Sequence, residues 1–305
     1  MKRILSFLFL LVVAAATAQQ LPHFSQYMLN DYAENPAIGG TNPYFEANSI
    51  NRYQWIGITD APRTYQLSVD GPLKNDHFGV GGQVFTDVVG PTRRTGCYLS
   101  YAYHLNVTKD IKLSFGLQGG VLQYTVDGSK IQLADMSDNV LSSGLQNVVM
   151  PEFGAGIYLY DKKKWYVGFS VPEMLENKLK FFDYMNNTAS IITRHYTFMA
   201  GYTFPIGNVF ALQPTTIVRY ADPVPVQFDL GLRLIYRDKM WIGVAYRNLD
   251  AIVSMVGYTY RENLTFGYAY DYSITNIQNY SSGSHEIFLS IRFAAMSSKS
   301  TPASN

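Results

Sequence analysis

The run Leu264-Thr265-Phe266-Gly267-Tyr268-Ala269-Tyr270-Asp271 carries the fold assignment. In an extended chain successive side chains point to opposite sides. Leu264, Phe266, Tyr268 and Tyr270 therefore share one face, and Thr265, Gly267, Ala269 and Asp271 share the other. One face is bulky and apolar, the other small or polar. The same split separates Val226, Phe228, Leu230, Leu232 and Leu234 from Gln227, Asp229, Gly231 and Arg233, and Tyr65, Leu67 and Val69 from Gln66, Ser68 and Asp70. A wall that meets hydrocarbon on its outside and a polar lumen on its inside has this alternation.

A water-soluble sandwich alternates too, so the turns must decide between the two. The alternation predicts fourteen strands, starting near Phe45, Arg63, Phe78, Thr95, Ile111, Met150, Trp165, His195, Phe210, Val226, Met240, Ala251, Leu264 and His285. With both chain ends in the periplasm, connections after even-numbered strands are periplasmic turns, which are short in outer-membrane barrels. Those connections are Gly71 to His77, Leu105 to Asp110, Asp161 to Lys164, Pro205 to Val209, Arg237 to Lys239 and Arg261 to Asn263, and all are short. The long connections, near Thr125 to Val149, Pro172 to Arg194 and Tyr272 to Ser284, all follow odd-numbered strands. A sandwich has no reason to sort its loops in this way. The expectation is an all-β fold: a transmembrane antiparallel β-barrel of about fourteen strands over residues 43–293. It closes on itself because an open sheet edge in hydrocarbon leaves backbone groups unpaired at a cost of several kcal/mol each. Trp165, Tyr166, Tyr236 and Trp241, near strand ends, are expected in interfacial aromatic girdles.

Composition agrees. Charged residues make up 15% and aromatics 15%, with 24 Tyr and 24 Gly, which suits a greasy, aromatic outer surface. A net charge of +1 offers no footprint for nucleic acid. The chain opens with Lys2 and Arg3, an apolar run from Ile4 to Ala16 and the small-residue site Ala16-Thr17-Ala18. Residues 1–18 therefore read as a cleaved signal peptide for export, with Gln19 as the mature start. Cys97 is the single cysteine, expected as a small buried or lipid-facing residue, and no intramolecular disulfide is available. Residues 19–42 are too polar and proline-broken for a strand, and Phe24, Tyr27 and Tyr32 need burial. This N-terminal segment is expected in the periplasmic mouth or the lumen. After Phe293 a Ser-rich tail, residues 294–305, is expected to be flexible.

Candidate chemistry is sparse. His23, His77, His104, His195 and His285 lie in no catalytic signature and read as solvated polar positions, so no enzyme activity is expected. Gly79, Val80, Gly81 and Gly82 sit inside an alternating strand with no helix after them. They are better read as permitting close backbone approach than as a phosphate loop. Asp135 and Asp138 lack the ligand spacing of a calcium loop. No cofactor or metal is expected. Asp229, Arg233, Glu286 and Arg292 should face the lumen, where they either define a pore or pair and seal it.

Several fragments taken together resemble the PorP/SprF family of outer-membrane proteins. They are Gln20, Pro22 and Phe24 to Met28 with Asn35, Pro36 and Ala37; Arg52, Gln54, Trp55, Gly57, Ala61, Pro62 and Thr64; Ser68, Val69, Asp70 and Pro72; Tyr101 to Tyr103; Leu113 to Gly116; and Gly283 to Glu286 with Leu289. The resemblance spans nearly all of the chain after the signal. It implies a barrel in the outer membrane of a Gram-negative cell, serving type IX secretion and gliding motility. Its partners would be outer-membrane lipid, other secretion or motility components, and a secreted substrate such as a large surface adhesin that it helps to export or anchor. The outer loops, chiefly Thr125 to Val149 and Pro172 to Arg194, would make the partner contact. A porin-like channel for small solutes is the alternative; a lipid-acting barrel enzyme has no supporting motif.

Overall fold

The computed structural model describes residues 22–73, 77–131, 144–161, 164–179 and 190–293. The signal, the C-terminal tail, Asp135 and Asp138 lie outside the described residues. Fourteen antiparallel strands form one closed barrel. They are β1 (Phe45–Tyr53), β2 (Arg63–Pro72), β3 (Phe78–Val89), β4 (Thr92–Asn106), β5 (Ile111–Asp127), β6 (Leu145–Asp161), β7 (Trp165–Val171), β8 (His195–Tyr202), β9 (Phe210–Ala221), β10 (Gln227–Tyr236), β11 (Met240–Arg247), β12 (Ala251–Tyr260), β13 (Leu264–Ser273) and β14 (Ser284–Phe293). Each strand pairs with its neighbours in the chain. Closure comes from β14 on β1, in register from Phe45 opposite Phe293 to Tyr53 opposite His285. A short strand, Phe204–Ile206, adds to the start of β9. Among the described residues no helix is long and apolar enough to cross a membrane.

Strand starts agree with the sequence reading to within one residue except at β4 and β6, which begin earlier, at Thr92 and Leu145. The loop expected from Thr125 is therefore partly ladder, with Thr125 opposite Asn147 and Asp127 opposite Leu145. β4, β5 and β6 run to 15, 17 and 17 residues, more than the roughly 9–11 that cross a bilayer. The surplus lies at the long-loop end, so two hairpins project outward from the wall.

The faces sort as their periodicity requires. Leu230, Leu232, Phe266 and Tyr268 are exposed on the outer wall, while Asp229, Thr265, Ala269 and Asp271 are buried inside. Cys97 is exposed, in phase with the outward-facing Leu99 and Tyr101. Trp241 corrects the girdle expectation. It is buried in the lumen against Ala245, Val253, Met255 and Ala269, and a Cβ on its ladder partner Gly257 would overlap its ring. Tyr166 also turns inward, packing 5.6 Å from Tyr158. Nearness to a strand end says nothing about face; parity within the ladder does. Introducing a charge on the outer face should therefore be costly. Leu232→Arg, central on β10, is expected to destabilise the barrel by about 2–4 kcal/mol, although Arg233 beside it is accommodated in the lumen. Urea unfolding in lipid vesicles measures this, and an unchanged midpoint would mean that this wall does not face hydrocarbon.

Candidate functional site

The lumen is filled by the chain's own N-terminal segment. Residues 22–42 form three single 3-10 turns, Tyr27–Leu29, Asp31–Ala33 and Pro36–Ile38, joined by irregular backbone. The last turn is set locally. Asn35 is extended, its Oδ1 accepts from Ala37 N at 2.9 Å, and Pro36 takes the first turn position, where no N–H is needed. The turns satisfy only part of the segment's backbone groups, and the buried remainder need partners. The barrel wall supplies them. Ser114 Oγ donates to Ala37 O at 2.6 Å, Ser170 Oγ to Glu34 O at 2.6 Å, and Gly40 N to Asp70 Oδ2 at 3.1 Å. His104 Nε2 lies 3.0 Å from Gly39 O. Asn30 Oδ1 accepts from Ser68 Oγ at 2.9 Å, and the Tyr27 and Tyr32 hydroxyls meet Thr215 and Ser100 at 2.9 and 2.7 Å. The apolar side chains complete the fit. Tyr27, Tyr32, Ala37 and Ile38 form one core with Tyr158, Tyr160, Met199 and Ile217, and Phe24 packs with Ile50 and Phe288.

Strand glycines make room for this segment. A Cβ at Gly79 would collide with Gly39 O, one at Gly116 with the backbone of Pro36 and Ala37, and one at Gly81 with the Tyr32 ring. The glycine cluster in β3 thus serves close backbone approach, as its strand context suggested.

Charge concentrates at the long-loop end. Arg52 Nη2 lies 2.7 Å from Asp271 and its Nη1 3.2 Å from Glu286. Arg247 meets Asp229 at 3.0 Å, Asp271 at 3.1 Å and Asp250 at 3.4 Å. Ser25 sits between the two guanidiniums: its Oγ accepts from Arg52 at 2.8 Å and Arg247 at 3.2 Å and donates to Asp271 at 2.8 Å. Glu286 then takes the Ser25 and Gln26 backbone N–H groups, each at 2.8 Å. Carboxylates paired in this way hold the segment by charge-assisted bonds, roughly twice as strong as neutral ones.

The described residues of the connection after β7, 172–179 and 190–194, pack on the other side of the same mouth. Glu173 pairs with Arg94 at 2.7 Å and lies 3.2 Å from His195. Burial pushes its carboxyl upward, but the Arg94 guanidinium and His195 outweigh that and hold it below the usual range. Glu152, fully buried, accepts from Leu175 N at 3.0 Å. Ile192 inserts among Phe85, Tyr98, Leu122, Tyr124 and Met150.

Of the four charges expected in the lumen, all face inward, and they pair with other residues rather than one another. Asp229 takes Arg247, Glu286 takes Arg52, Arg292 takes Glu46 at 2.8 Å, and Arg233 bonds Gln213 and lies over the Trp241 ring. Arg247 was not anticipated, nor was the lumen role of Arg52. Both share strand parity with the buried face of their strands, Asn48 and Ile50 for Arg52 and Trp241 and Ala245 for Arg247. That parity was the available signal. The reading of all five histidines as solvated is corrected at His104 and His195, which are buried in the lumen.

Comparisons with known proteins agree with this architecture. The model of a family described as "Type IX secretion system membrane protein PorP/SprF" matches residues 16–291. No curated protein matches the chain. Among solved structures it is similar to a Pseudomonas aeruginosa FadL homologue, at 12% identity over 89% of this chain and 94% of that one, with a TM-score of 0.50. The Ralstonia pickettii toluene transporter TbuX aligns at 11% identity, 87% and 93% coverage and a TM-score of 0.48. The Acinetobacter baumannii outer membrane protein Omp33 aligns at 11%, 83% and 100%, with a TM-score of 0.43. At 12% identity the likeness to the FadL homologue is one of fold alone.

Proposed function

The chain belongs to the PorP/SprF family of type IX secretion system membrane proteins, and on that premise we propose that it is a non-enzymatic factor that helps to export a secreted surface protein or holds it at the cell surface. Its barrel fold and family support an outer-membrane location and association with other components of that secretion machinery. The observation that carries the finer reading is the lumen. A segment bonded to strands all round the wall, with a buried ion network at its outer end, leaves little path for solutes. The outward face is then the working surface. The partner would be a large adhesin of the gliding apparatus or a similar type IX substrate, held through the connections Thr125 to Val149 and Pro172 to Arg194. Filling of the lumen also counts against the porin-like alternative.

Isolating the tagged barrel from its native membrane after mild cross-linking tests this. One large secreted protein should accompany it, together with other secretion components. A barrel that comes out without a partner and passes stable single-channel currents would instead be a channel.

A further inference from the structure

The N-terminal segment has a direction. Gly40 lies against Gly71 and Gly79, at the short-turn end. Pro22 and His23 line a cavity together with Trp55, Val224 to Val226 and Asn248 to Asp250, which belong to connections after odd-numbered strands. The segment therefore enters β1 from the periplasmic side while its N-terminal end reaches the cell-surface mouth. There it forms one wall of an open cavity of about 380 Å³.

We propose that this cavity binds a basic side chain, lysine or arginine, from an extended stretch of an extracellular polypeptide; the inference rests on the export or anchoring role above. Its walls suit the two halves of such a side chain. Pro22 and Pro225 offer apolar surface for the methylene stem, and Trp55, also in the lining, is the aromatic residue that can pair with the cation. Trp55 is held in place through its backbone, by its own main-chain N–H to Ser284 Oγ at 3.1 Å and by Ile56 N to Gly283 O at 2.8 Å. It keeps a left-handed backbone, φ +48°, which bulky residues rarely adopt and which recurs at binding sites. The lining carries two carboxylates beside side chains that both donate and accept, Gln54, Gln227 and Asn248. The carboxylates are those of Asp87 and Asp250; Asp87 Oδ1 accepts from Thr64 at 2.6 Å and Asp250 Oδ2 lies 3.4 Å from Arg247, so a ligand would take the second oxygen of each. Arg247, the one lysine or arginine among the lining residues, is committed chiefly to Asp229, Asp271 and Ser25, with Asp250 a longer contact at 3.4 Å. A ligand that donates hydrogen bonds and carries positive charge completes this set; an acid does not.

The full-length barrel in detergent micelles at low salt can be titrated with three probes: acetyl-Gly-Lys-Gly-amide and its norleucine and glutamate counterparts. The lysine peptide should give a saturable change in tryptophan fluorescence that disappears in Trp55→Phe. The other two should bind at least fivefold more weakly, and Asp87→Asn/Asp250→Asn should weaken the lysine peptide by a similar factor. Equal binding of the norleucine or glutamate peptide, no saturable lysine signal, or an unchanged affinity in a folded double variant would overturn the proposal. If the double variant does not fold, the comparison of the three peptides on the unmodified protein still decides. Co-purification separates the two readings. Partner retained by a barrel that ignores the lysine peptide removes only this site, whereas absence of any partner removes the export role.

Discussion

Arg52→Ala should lower the stability of the barrel by about 3–5 kcal/mol, the range for removing one member of a buried ion pair. Arg52 is 1% exposed and neutralises both Asp271 and Glu286, which are 1% and 0% exposed. Without the guanidinium, Arg247 is left to balance Asp229, Asp271 and Glu286, and only two of these are in contact with it. Glu286 also anchors the backbone of Ser25 and Gln26, so its protonation or displacement would loosen the N-terminal segment. Arg52→Lys retains the charge but loses the fork that reaches both carboxylates and Ser25, and should fall between wild type and alanine. Pairing Arg52→Met with Glu286→Gln should recover part of the loss, because the uncompensated charge is removed along with its partner. Urea midpoints in micelles, with heat-modified gel mobility as a second reading, measure all three. A loss below about 1 kcal/mol for Arg52→Ala would show that water screens the network, as it screens exposed pairs.

Removing residues 23–38 should open the barrel to conduction. Those residues supply the apolar fill at Phe24, Tyr27, Tyr32, Ala37 and Ile38 and the polar contacts to the wall. Their loss leaves a lumen lined by charged and hydroxyl groups that water will enter. Planar-bilayer recordings should then show stable open currents, and the heat resistance of the folded band should fall. Gly116→Val makes the same point with one substitution, because its side chain would occupy the space of the Pro36 and Ala37 backbone. Bilayers that stay silent with both variants, together with unchanged heat resistance, would mean that something other than this segment closes the barrel.

Much of the wall was legible beforehand. β13 alternates so regularly that its sequence alone sends Phe266 and Tyr268 outward and Thr265 and Asp271 inward. Short turns after even strands set the orientation. The outward hairpins were harder, because Asn147 and Val148 look like loop residues until Thr125 and Tyr124 are found opposite them. Sequence alone puts Trp241 and Tyr166 on the wrong side, because an aromatic near a strand end serves a girdle and a core equally well. The fragments Phe24 to Met28, Arg52 to Trp55 and Gly283 to Glu286 carried the family resemblance without revealing that Ser25, Arg52 and Glu286 meet at one point.

Strand number, loop sorting and the identity of the polar face follow from the sequence by itself, since period two and turn chemistry act over a few residues. What fills the lumen, and which charge answers which, was decided by tertiary structure. Ser25 finds Asp271 at a separation of 246 positions. That meeting exists only after β14 has closed on β1 and the N-terminal segment has been enclosed. An ion pair in a cylinder depends on register around the whole circumference, and no local pattern encodes it.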